Sequence, residues 1–127
     1  MDELLDTNVI LRFLVSDNQK QYQQASKWFK EAEKGKRKLV IKPIVIAEAC
    51  FVLESFYRKS RKEISRTFEV FLSQKWLIVE DRDALLALWP WYRKKLHFVD
   101  SYLLALASQG NSRILSFDKK LVTSSQT

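Results

Sequence analysis

The sequence predicts an α/β fold in which short parallel strands alternate with helices that cover both faces of the sheet. Three observations lead there. Brief apolar runs at 3–5, 39–41, 77–79 and 113–116 read as strands, and the segments between them carry apolar residues at helical spacing. The chain also has only two Gly and two Pro, too few for the many tight turns of an all-β domain. With 127 residues, 46% of them apolar and 13% aromatic, residues 1–127 are expected to form one domain. A chain of this size buries roughly two-thirds of its unfolded surface.

Residues 3–5 form the first expected strand and lead into Asp6. Val9, Ile10, Phe13 and Leu14 then predict a helix over 8–15, with Asp6 or Thr7 placed to cap it. In 19–33, Tyr22, Ala25, Phe29 and Ala32 make one apolar stripe widened by Trp28, and Gly35 stands where a helix would stop. After the strand 39–41, Pro43 suits the first turn of a helix reaching Tyr57. Ser60 caps the next helix, on which Ile64, Phe68, Phe71 and Leu72 align. The strand 77–79 precedes a helix over 83–94, which Pro90 should bend or end. A helix over 98–108 stops at Gly110, 113–116 is the last strand, and 123–127 reads as a frayed polar end.

Charge limits the choice of function. The chain carries 22 Lys and Arg against 15 Asp and Glu, a net +7, which favours a polyanionic partner, nucleic acid before membrane. No apolar run reaches the ~18 residues a membrane span needs. The acidic start Met1-Asp2-Glu3 lacks the basic region of a signal peptide, so a cytoplasmic location without membrane attachment is expected. The single cysteine, Cys50, lies in the apolar run 44–53 and reads as a buried, inert thiol. The single histidine, His97, reads as a surface or structural residue. Trp76, Trp89, Trp91 and Tyr92 read as packing residues rather than base-stacking platforms.

Against this background four carboxylates stand in apolar company. Asp6 follows Leu4-Leu5, Glu48 interrupts the run 44–53, Asp100 follows Phe98-Val99, and Asp118 follows Ile114-Leu115 and Phe117. Buried charges need partners. Asp6, Asp100 and Asp118 could each be a local cap, and Glu48 could be ion-paired or snorkelling. If all four converge, their repulsion requires a cation. Two like charges about 5 Å apart at an effective dielectric of ~20 repel by roughly 3 kcal/mol. An all-oxygen site selects Mg²⁺, with Mn²⁺ as substitute, over zinc. Such a site suits phosphodiester hydrolysis, and the basic surface would hold the strand.

The run Asp6-Thr7-Asn8-Val9-Ile10-Leu11-Arg12-Phe13-Leu14 resembles the first motif of PIN-domain nucleases, in particular VapC-type toxins of toxin–antitoxin pairs. Ile46-Ala47-Glu48, Phe98 to Ala105, and Ser116-Phe117-Asp118-Lys119-Lys120-Leu121 resemble the later motifs in order and spacing. The resemblance implies a three-layer α/β/α sandwich with a central parallel sheet of four to five short strands. It further implies Mg²⁺-dependent cleavage of RNA, homodimerisation and inhibition by a cognate antitoxin. By the same resemblance, Asp6, Glu48, Asp100 and Asp118 are the catalytic, metal-binding residues, with Asp6 and Asp100 foremost. Thr7, Asn8 and Ser116 support them. His97 stands where the family often has a further Asp, which removes one candidate anion.

Two other functions compete. A PIN-like RNA-binding module without turnover gains nothing from a cluster of mutually repelling anions, so retention of all four acidic residues speaks against it. A phosphatase of the haloacid dehalogenase type needs a second Asp two residues after the first, and that position is Asn8.

Overall fold

A computed structural model describes residues 1–110 and 112–125. Three strands, β1 (Asp2–Leu4), β2 (Lys38–Ile41) and β3 (Leu77–Val79), pair in parallel in the order β1-β2-β3. The register sets Leu4 beside Val40 and Val40 beside Ile78. Leu39, Val40 and Ile41 of the middle strand are buried, as a strand flanked on both sides should be.

The helices begin and end where local chemistry provides for it. α1 (Thr7–Val15) buries Ile10 and Leu11 and closes on Ser16 in the left-handed region, φ 61°. α2 (Gln19–Glu33) starts at Asn18, whose side-chain oxygen accepts from the Gln21 amide at 3.0 Å. It stops at Lys34 and Gly35, and the φ of +78° at Gly35 suits a residue without a Cβ. α3 (Pro43–Ser55) has its proline at the first turn, where the missing N–H costs nothing. Ser60 Oγ accepts from the Glu63 amide at 3.1 Å to open α4 (Arg61–Phe71). The expected helix over 83–94 is divided into α5 (Arg82–Ala87) and α6 (Trp89–Arg93), joined at Leu88. Pro90 explains the division, since it cannot donate to the carbonyl four residues back. α7 (Phe98–Gln109) and α8 (Lys119–Ser125) complete the regular structure of the described residues.

The core is built mainly on large side chains from these helices. Trp89 and Tyr92 are fully buried together with Phe68, Ile41, Ile46, Ile64 and Leu85. Trp89 stacks on Phe68 with ring centroids 5.6 Å apart and 8° between planes, and meets Tyr92 edge-on at 5.4 Å. Trp89 and Tyr92 therefore pack rather than present faces to a ligand, as the sequence suggested. A smaller cluster joins Leu96, Leu104 and Leu121, with Trp91 and Ile114 against it. Cys50 is buried.

Two expectations are corrected. Among the described residues the sheet has three strands, not four to five, because 113–116 does not pair. Its apolar residues are divided: Ile114 turns into the Leu96–Leu104–Leu121 cluster, whereas Leu115 remains 88% exposed and Phe117 wholly so. So short a segment has little besides side-chain burial to hold it on a sheet, and its one inward residue is drawn elsewhere. β1 is left as an edge strand with all three residues exposed. The frayed end is also corrected, since α8 continues to Ser125 around the buried Leu121; residues 126–127 lie outside the described residues. Other helix and strand limits differ from expectation by one or two residues, which is ordinary end variation.

Trp89 fills the centre of the core, so Trp89→Ala is expected to destabilise the chain by about 3–5 kcal/mol. Urea denaturation followed by far-UV circular dichroism measures it, and a loss below about 1 kcal/mol would contradict the packing described.

Candidate active site

In a parallel sheet the segments leaving the strands gather at one edge, where ligands characteristically bind. Asp6 stands there, two residues beyond β1, at the N-cap position of α1. Its backbone is extended, φ −79° and ψ 151°, and its carbonyl accepts from the Val9 amide at 3.1 Å. Its exposed carboxylate makes no capping bond. Thr7, the first residue of α1, is buried, and Asn8 is exposed. Glu48 is exposed on α3 between buried Ile46 and buried Ala49. Asp100 is half-buried in the first turn of α7, a favourable place for an anion beside the helix's unpaired amides. That turn is fixed by the His97 carbonyl, which accepts from the Ser101 amide at 2.9 Å and its hydroxyl at 3.0 Å. His97 itself is an exposed N-cap residue.

Asp118 behaves differently. Its Oδ1 accepts from the amides of Lys120 at 2.9 Å and Leu121 at 3.3 Å, and its own amide donates to Ser116 Oγ at 3.0 Å. The local-cap alternative therefore describes Asp118. It does not describe Asp6, Glu48 or Asp100, whose carboxylates have no hydrogen bond or ion pair among the described residues. Many other acidic side chains are paired: Glu3 with Arg37, Asp17 with Arg12, Glu54 with Arg61 and Glu69 with Arg93.

The helices that carry or follow the four acids pack in a chain, α1 on α3, α3 on α7 and α7 on α8. That packing stops short of a metal cage. Among the described residues, no three His, Cys, Asp or Glu side chains stand close enough to hold an ion. The donor type suits a hard divalent cation, but the spacing does not enclose one, and the expected convergence of all four carboxylates is not met. One physical reason is visible in the fold. With 113–116 unpaired, Asp118 is carried on an exposed segment rather than delivered from a strand end.

One nearby pair escaped the sequence reading. Asp81, just past β3 with φ 55°, accepts a hydrogen bond from the Tyr102 hydroxyl on α7. Its signal was present: Glu80-Asp81 follows a strand's carboxyl end, as Asp6 follows another. Glu80 is paired with Lys42 at 3.4 Å. A second network positions the start of α7 from below. Arg61 binds Glu54 at 3.1 Å, lies 4.3 Å from the centroid of the Tyr92 ring, and donates to the carbonyls of Tyr92 and Leu96. Burial, then the Glu54 charge, pushes the Cys50 thiol up and leaves it unreactive. A cavity of about 1010 Å³ lies elsewhere, bounded by Phe13, Tyr22, Phe29, Phe71 and Trp76, and none of the four carboxylates lines it.

The family model of the PIN domain matches residues 4–123, so the chain belongs to the PIN domain family, whose members are generally metal-dependent nucleases. No curated protein and no solved structure matches the chain.

Burial, and next the hydrogen bond to Asp81, push Tyr102 from its ordinary 10.0 to about 12. Tyr102 thus stays protonated in the folded chain while it ionises in the unfolded one. Its contribution to stability is whole below pH 10 and is lost as pH rises toward about 12. In an absorbance titration differenced against Tyr102→Phe, Asp81→Asn is expected to bring the Tyr102 transition to lower pH. An unmoved transition would dissolve the pair.

Proposed function

We propose that this chain is a Mg²⁺-dependent ribonuclease of the VapC toxin type, hydrolysing RNA phosphodiester bonds, with Mn²⁺ able to substitute. A single-domain chain, a homodimeric assembly, a cytoplasmic location and silencing by a cognate antitoxin belong to the same reading. The observation that carries it is that Asp6, Glu48 and Asp100, on helices packed in succession in a PIN-family chain, have carboxylates without a partner among the described residues. Unpaired anions amid 22 basic residues are available to a ligand in a way that ion-paired ones are not.

Asp6 and Asp100 are the foremost ligands in this reading, Glu48 flanks them, and Asp118 acts from the start of α8. Thr7 seats the turn that aims Asp6, Asn8 offers an amide beside it, and Ser116 steadies Asp118 through its backbone. A divalent cation, when bound, neutralises phosphate oxygens and lowers the pKa of an attacking water.

One observation favours a non-catalytic RNA-binding module instead: no three acidic side chains are grouped among the described residues. Turnover separates the two readings. Purified protein is expected to cleave single-stranded RNA in Mg²⁺ and to stop in EDTA. Cleavage that survives chelation would exclude the metal mechanism, and absence of cleavage in either metal would favour the module. Loss of an outer-shell partner costs 10–100-fold, so Asp6→Asn or Asp100→Asn should cost more than about 100-fold while the circular dichroism spectrum is kept. A wild-type rate in either variant would remove that residue from the site. A 2′-deoxy nucleotide at the scissile position should still permit cleavage, since water rather than the ribose hydroxyl attacks; complete resistance would mean internal transesterification.

A further inference from the structure

Deepening the ribonuclease reading, on which it rests for the identity of its ligand, we infer that Lys94, Lys95, Lys119 and Lys120 form the seat for the RNA backbone. The juxtaposition is tertiary. Lys94-Lys95 immediately precede Leu96, Lys119-Lys120 immediately precede Leu121, and Leu96 and Leu121 are buried together against Leu104. Two lysine pairs 25 positions apart in the chain are thereby fastened to one small apolar cluster. All four side chains are exposed, and none has a hydrogen bond or ion pair among the described residues.

The cluster is also tied to the acidic residues. Leu104 and Asp100 are four positions apart on α7, so they lie on one face, one turn above the other. Asp118 caps the helix that carries Lys119 and Lys120. A strand lying along the lysines would therefore pass beside Asp100 and Asp118. Many other basic residues are placed differently. Arg37, Lys42, Lys59, Arg61 and Arg93 are engaged by carboxylates, and Lys27, Lys30, Lys34 and Lys36 border the large apolar groove beside α2. Arg113, which precedes Ile114, stands at the margin of the same cluster as the four lysines and adds to its charge. Lysines contact phosphate as mobile point charges, so the seat grips the backbone without reading bases.

The test is the salt dependence of binding to a fluorescein-labelled, mixed-sequence single-stranded oligoribonucleotide, followed by anisotropy in EDTA over about 50–200 mM KCl. Each phosphate contact on a single strand contributes ~0.7 to the log–log slope. Changing the four lysines of the seat to Gln should therefore flatten it by about 2.8. The matched quadruple Lys27→Gln, Lys30→Gln, Lys34→Gln, Lys36→Gln removes the same charge and should flatten it by less than about 1. An unchanged slope in the first quadruple would overturn the assignment. So would equal flattening in both, which would mean that total charge alone acts. Thermal unfolding of each variant verifies that it is folded. Cleavage by the wild-type chain is scored separately: binding with the expected slopes but no cleavage upholds the seat and fails the nuclease, whereas cleavage with a seat-independent slope does the reverse.

Discussion

Because β1, β2 and β3 run parallel, all three end on the same edge of the sheet, and whatever follows each strand is delivered there. Asp6 follows β1, Lys42 and α3 follow β2, and Glu80-Asp81 follow β3. The site depends on this constraint more than on any single contact. A parallel connection must cross over through a helix, so the same rule that gathers the strand ends also places α1 and α3 directly behind them. Asp6 and Glu48 come from segments far apart in sequence yet belong to neighbouring helices for that reason.

Charge is divided between two tasks across the molecule. Arg61 serves structure: it holds Glu54, the Tyr92 ring and two carbonyls, and so fixes the turn from α6 into α7. An arginine suits that place because its planar fork can satisfy several acceptors at once. The side chains of the lysines around Leu96 and Leu121 are engaged by nothing among the described residues and remain available to a polyanion. Asp6, Glu48 and Asp100 are the acidic counterpart, unpaired among the described residues although cations outnumber anions.

Much of the fold was legible. The stripe Tyr22-Ala25-Phe29-Ala32, the capping Ser60 and the break before Pro90 are local signals, decided within a turn or two of helix. The site was legible residue by residue, as carboxylates in apolar company, but not as an arrangement. Asp118 shows why: the same residue type at the same kind of position can cap its own helix or face a ligand, and adjacent sequence does not distinguish the two. Asp81 shows the converse, a residue that obeys the strand-end rule and is then tied up by Tyr102, some twenty positions away.

The sequence by itself determined the α/β class, the order of the helices as far as α7 and of three strands, the buried state of Cys50 and Trp89, and membership of the PIN family through motifs that span nearly the whole chain. Periodicity and capping are short-range, and a chain encodes them directly. Tertiary structure decided that 113–116 leaves the sheet, that Asp118 is occupied as a cap, and that lysines from two distant segments share one apolar cluster. Those outcomes turn on which of several apolar surfaces a side chain such as Ile114 can reach, and that competition is settled only when the whole molecule packs.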